Sequence, residues 1–142
     1  MISVPKMTLS DARLVIEGAE YKAREIGVDM DIAVVDDGGH LLAFIRMDRA
    51  RVTSINVSIN KAYTAACARR ATHEYAAIAG AGGPAFGMQG TDQGRFMIVG
   101  GGLPIFTDGV IVGGVGCSSG SPEQDREVAQ AGIERLLSAS GK

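Results

Sequence analysis

The 142-residue chain has no tryptophan, aromatic residues make up only 5% of it, and it holds two cysteines and two histidines. Each shortage closes off a class of chemistry. Cys67 and Cys117 are too few and too far apart to staple a disulfide scaffold or supply a zinc site, and both are expected to be reduced, Cys67 within a helix. His40 and His73 each stand alone, so no multi-histidine metal site is expected. The 14 basic and 16 acidic side chains leave a net charge of −2 and form no basic run that could follow a phosphate backbone, which argues against nucleic acid as a partner. No apolar stretch approaches the roughly 20 residues of a membrane span. Met1-Ile2-Ser3-Val4-Pro5-Lys6 also lacks the apolar stretch of a secretory signal, so the expected location is the cytoplasm, with no membrane partner.

Glycine is what the chain has in excess: 20 residues, where average usage gives about 10 for this length. Most lie between Gly80 and Gly120, where they either fit tight turns or let backbone approach something bulky. Along the chain, Leu9, Ala12, Ile16, Ala19, Ala23 and Ile26 recur at helical spacing, with Thr8 or Ser10 as the cap and Gly27 as the stop. Residues 30–36 and 40–46 read as strands joined by Asp37-Gly38-Gly39, a hairpin signal. Residues 53–70 return to helix, with Ser54 a candidate cap and Ile55, Ile59, Ala62 and Ala66 along one face. Thr72 is expected to cap a further helix to Ala79, and 80–94 reads as a long shaped loop. Segments 96–99 and 103–106 look extended around Gly100-Gly101-Gly102, and Thr107-Asp108-Gly109 turns the chain into a strand over 110–117. Ser121-Pro122-Glu123-Gln124 opens a last helix. This order contains no dominant βαβ crossover and predicts an α+β fold, a single domain over 1–142 with an antiparallel sheet of about four or five strands flanked by helices.

Several residues carry two readings. His40, at a hairpin tip where Asp36, Asp37 and the glycines make the turn, is a solvated strand residue, or else an axial metal or heme ligand or a proton carrier. Lys61 lies on a stripe with Ser54, Ser58 and Thr64 that faces water, a subunit interface or a ligand. If partly buried, Lys61 could hold a carboxylate or act as an acid/base group. Arg46 and Arg95 are candidates to clamp an anionic substrate, or to pair with Asp48, Asp92 or Asp125. The run from Gly113 to Ser121, including Gly116 and Ser118, leads from a strand into a capped helix, a geometry whose exposed N–H groups favour anions. Neither a P-loop nor a Rossmann turn fits it. Cys117, near that helix start, reads as a buried small residue or a nucleophile without a histidine partner. Gly80 to Gly94, Gly100 to Gly102 and Gly113 to Gly120 are expected to form the backbone of a pocket, with Gly101, Gly102 and Gly116 at the ligand and charge from Lys61 and Arg46.

Residues 33–48, Ala-Val-Val-Asp-Asp-Gly-Gly-His-Leu-Leu-Ala-Phe-Ile-Arg-Met-Asp, resemble the first block of the GlcG/HbpS-type heme-degrading domain family. Lys61-Ala62-Tyr63-Thr64-Ala65-Ala66, then Gly100 to Ile105 with Asp108-Gly109, then Val112 to Gly116 with Ser119 to Asp125, agree with it. The resemblance covers about residues 8–139. It implies an antiparallel sheet flanked by helices and homo-oligomers from dimer to octamer. It also implies a small-molecule ligand, heme or another small anion, with heme as the candidate cofactor and a role in heme binding or degradation. Some members are described as tautomerases, so the alternative is a cofactor-free isomerase of 2-hydroxymuconate-like dienol acids in aromatic degradation. In that enzyme Lys61 or Arg46 would hold the carboxylate, and Asp36, Asp125 or Lys61 would exchange the proton; no metal is required.

Overall fold

A computed structural model describes residues 1–140. Helix α1 (Leu9–Ile26) begins at Thr8, whose hydroxyl accepts from the Asp11 N–H while the Asp11 carboxylate accepts from the Thr8 N–H, a reciprocal capping box. Gly27 ends it in the left-handed region at φ 74°. Ala12, Val15, Ile16, Ala19 and Ala23 form its buried face, whereas Leu9 is exposed, so the apolar stripe begins one turn later than its spacing suggests.

Strands β1 (Asp31–Asp36) and β2 (Leu41–Arg46) pair antiparallel across the expected turn. Helices α2 (Ser54–Ala68) and α3 (Thr72–Ala79) follow, then two short 3₁₀ turns at Met88–Gly90 and Asp92–Gly94 within the glycine-rich loop. Strands β3 (Gly102–Thr107) and β4 (Val110–Ser118) form the second hairpin, its turn made by Asp108 and Gly109, both at positive φ. The sheet has four strands in the order β2-β1-β4-β3, every neighbouring pair antiparallel.

Three expectations shift in detail. Residues 96–99 are not a strand; β3 starts only at Gly102. Thr72 does not cap α3. It lies inside the helix, and its hydroxyl accepts from the Gly102 N–H, serving the sheet instead. Ser54 likewise sits inside α2, buried against Ser118. In each case a side chain that could satisfy its own helix end is claimed by a tertiary partner.

The alternation of the strands builds two layers on the sheet. Ile32, Val34, Val115 and Cys117 point into the larger core with α1 and helix α4 (Pro122–Ala139), while Ala33 and Val35 meet Ala62 and Ala66 of α2 on the other side. On the α2 side, Gly114 and Gly116 of β4 leave room for the backbone of the helix. A methyl group built on Gly116 would stand 2.1 Å from the Ser58 carbonyl oxygen, and one on Gly114 would stand 2.6 Å from that of Ala62. Gly102, opposite Gly116 in register, is similarly close to the Lys61 carbonyl at 2.4 Å.

Ser121 and Gln124 form the capping box of α4, with Pro122 in the first turn. Ser121→Ala is therefore expected to lower stability by about 1 kcal/mol, seen as a lower thermal midpoint; an unchanged midpoint would mean that the sheet contacts alone hold this helix start.

Candidate functional site

The stripe of Ser54, Ser58, Lys61 and Thr64 faces the protein interior. None of the four is more than 3% exposed, and Lys61 is the largest fully buried side chain. Its stem runs past the end of the β3–β4 pair. The ammonium group donates to the Cys117 carbonyl at 2.9 Å and to Asp125 Oδ2 at 2.8 Å. The other Asp125 oxygen accepts from the Gly120 N–H at 2.9 Å. Because α2 and α4 lie on opposite faces of the sheet, this ion pair ties the two layers together around the sheet end.

Gly101 makes the passage possible. It sits at φ 128°, and a methyl group there would fall 2.8 Å from Lys61 Nζ and 2.7 Å from Asp125 Cβ. Burial pushes the Asp125 carboxyl above its ordinary pKa, while the Lys61 charge and hydrogen bond and the Gly120 N–H hold it back. With side-chain exposures of 1% and 3%, the two charges satisfy each other and are closed to solvent.

A second buried acid lies at the same end of the sheet. Asp31 pairs in register with both Arg46 and Ser118. Its Oδ2 accepts from the Ser119 hydroxyl at 2.8 Å, whereas its Oδ1 is buried without a partner. Burial raises its pKa, opposed by the Ser119 hydrogen bond and the charges of Arg46 and Arg51. Ser118 donates to the Ser54 hydroxyl at 3.0 Å, and the Arg51 N–H to Ser119 Oγ at 3.0 Å. Of this cluster, sequence reasoning named Arg46, Lys61, Ser118 and Asp125 but missed Asp31 and Arg51. The available signal was an acid between Met30 and Ile32 at the head of a fully buried strand.

The remaining candidates lie elsewhere. Asp36 holds the first hairpin by accepting from the backbone N–H groups of Gly38 and His40. Burial pushes its pKa up, but these bonds and the nearby Lys6 carry it below the ordinary value. His40 projects from that turn, its side chain 83% exposed and its Nδ1 3.4 Å from Asp36 Oδ1. Thr64 accepts from the Met97 N–H and donates to the Arg95 carbonyl, and the Arg95 guanidinium stacks 3.8 Å from the centre of the Tyr63 ring. Tyr63 in turn donates to Asp92, so this group pins the glycine-rich loop onto α2. Gly102 and Gly116 are covered by α2. Cys117 is fully buried, and burial drives its thiol pKa far above the ordinary value, which leaves no nucleophilic thiolate.

A separate cleft of about 400 Å³ opens between the starts of α3 and α4. Ile98, Val99 and Pro122 supply apolar walls, and His73, Glu123 and Arg126 supply polar groups. Gly100 allows the approach of the two helices, since a methyl group there would meet His73 Cβ at 3.2 Å and Pro122 Cβ at 3.4 Å. Among the described residues, no three His, Cys, Asp or Glu side chains gather into a metal cluster, and no helix is long and apolar enough to cross a membrane.

Known proteins match this arrangement along nearly its whole length. The family described as haem degrading protein HbpS-like matches residues 7–134. A 15.0 kDa protein of the dhaT-dhaS intergenic region of Citrobacter freundii is 44% identical over 131 residues, covering 92% of each chain. The crystal structure of Klebsiella pneumoniae protein ORFY superposes with a TM-score of 0.93 at 38% identity, covering 96% of this chain and 94% of that one. The crystal structure of a PduOC:heme complex superposes with a TM-score of 0.88 at 30% identity, covering 92% of this chain and 95% of that one.

Proposed function

The chain belongs to the HbpS-like family, and from that premise we propose that it is a small-ligand-binding protein whose ligand is heme or another small anion. The observation that carries this reading is the heme complex formed by a protein of the same fold, 30% identical to this chain. The donor set of the present chain is compatible with such a ligand. Heme iron takes an axial imidazole, and its propionates seek cations. The chain offers imidazoles at His40 and His73, and the guanidinium of Arg126 stands in the same cleft as the second of these. Thiolate ligation finds no support at Cys117, which is sealed in the core. When bound, heme would supply a redox-active iron that no side chain of this protein can replace.

The reading includes a homo-oligomer, whose contacts would cover exposed apolar residues such as Phe86 and Val52. The tautomerase alternative has weaker support, because Lys61 and Asp125 are sealed in their own pair and Asp36 is committed to the hairpin turn.

Titration of the purified protein with hemin is expected to give a saturable Soret shift at one equivalent per chain. A spectrum that only sums free hemin and protein at every ratio would dismiss the heme reading. Turnover of 2-hydroxymuconate in its place would favour the isomerase.

A further inference from the structure

We infer that His73, and not His40, is the imidazole that ligates the heme iron, and that Arg126 holds a propionate beside it in the cleft between α3 and α4. The inference rests on the heme reading above and gives it a place in the fold. Only two imidazoles exist in the chain, and their surroundings differ in the features that matter for a largely apolar, dianionic ligand.

His40 stands at the tip of a hairpin, its side chain 83% exposed and beside the carboxylate of Asp36. A propionate brought there would meet Asp36 and Asp37 as well as Lys6. His73 stands in a cleft with Ile98, Val99 and Pro122 as walls. Sites for small molecules are of this kind, mostly apolar with a few converging polar groups, and about 400 Å³ lies within their usual range.

The state of the His73 ring points the same way. Its Nδ1 is buried without a hydrogen-bond partner, and among the described residues neither ring nitrogen is hydrogen-bonded. A buried polar atom left unpaired is rare in a folded protein, and one explanation is a group that completes the site.

Arg126 has no ion-pair partner among the described residues, so its fork is free to take a carboxylate. It sits in the second turn of α4, on the same wall of the cleft as Pro122 and Glu123. Glu123 on the rim carries the opposing charge, which gives the test a residue whose removal should act in the other direction.

The test is hemin titration of the full chain and its variants, read by Soret position and dissociation constant. In His73→Ala the imidazole-ligated spectrum is expected to disappear and free imidazole to restore it, which separates a lost ligand from a collapsed cleft. His40→Ala should match the wild type. Arg126→Gln is expected to weaken hemin about tenfold, the scale of one charge-assisted hydrogen bond. It should leave binding of hemin dimethyl ester unchanged, and Glu123→Gln should tighten hemin. A His73→Ala protein that keeps the wild-type spectrum and affinity overturns the inference while the heme reading stands. A wild-type protein with no saturable shift overturns both.

Discussion

Lys61→Met is expected to destabilise the protein by about 3–5 kcal/mol at pH 7, because it leaves the Asp125 carboxylate buried without its counter-charge. Small domains are stable by only about 5–15 kcal/mol, so urea unfolding should show the loss as a large fall in midpoint. The penalty should depend on pH with a defined sign. Burial already raises the Asp125 pKa, and removing Lys61 takes away the leading influence that holds it down. A carboxyl whose folded pKa lies above its unfolded value, about 4, binds more protons folded than unfolded, so its stability falls as pH rises through that interval. The variant should therefore lie nearest to the wild type at about pH 4 and farthest from it above neutrality. The double variant Lys61→Met/Asp125→Leu, which buries no lone charge, should recover much of the loss. A single-variant loss below about 1 kcal/mol would mean that water reaches Asp125, and the pair would then be open to exchange with a substrate.

Gly116→Ala is expected to cost about 3 kcal/mol or more, at the upper end for overpacking, because the obstacle is backbone. The new methyl would meet the Ser58 carbonyl oxygen at 2.1 Å and the Ala62 nitrogen at 2.5 Å, and neither can rotate away. Relief requires α2 to lift from the sheet, which also pulls Lys61 from Asp125. Gly90→Ala is the matched control, since nothing lies within 4 Å of its added methyl and its φ is not in the left-handed region. Surface changes of this kind usually fall within about 0.5 kcal/mol. Comparable thermal midpoints for the two variants would refute the close helix seat.

The elements whose signals are local are those the sequence displays. The Thr8 and Ser121 boxes, the Gly27 stop and both hairpin turns can be read from neighbouring residues, because the groups that satisfy them lie within a few positions. Where partners are distant, the same residue types mislead. Thr72 looks like a cap but bonds Gly102, and the polar stripe of α2 suits water, a subunit interface or a ligand equally but is buried, since nothing nearby reveals Asp125 as the partner of Lys61. The glycines suggested a ligand pocket, yet Gly102, Gly114 and Gly116 receive a helix, a role indistinguishable in sequence from close approach to a ligand. His73 was visible throughout; what could not be read was the cleft around it, assembled from three separate segments and completed by Arg126.

The ion pair that rounds the sheet end also governs which partial openings the molecule can make. Peeling away either α2 or α4 alone would strand one charge against the apolar interior unless water floods in with it, so separate excursions of the two layers are disfavoured. Amide hydrogen exchange around Lys61 and through the first turns of α4 should accordingly be slow and share one protection factor close to that of global unfolding. The amides of the glycine-rich loop, pinned chiefly by side chains at its surface, should exchange much earlier.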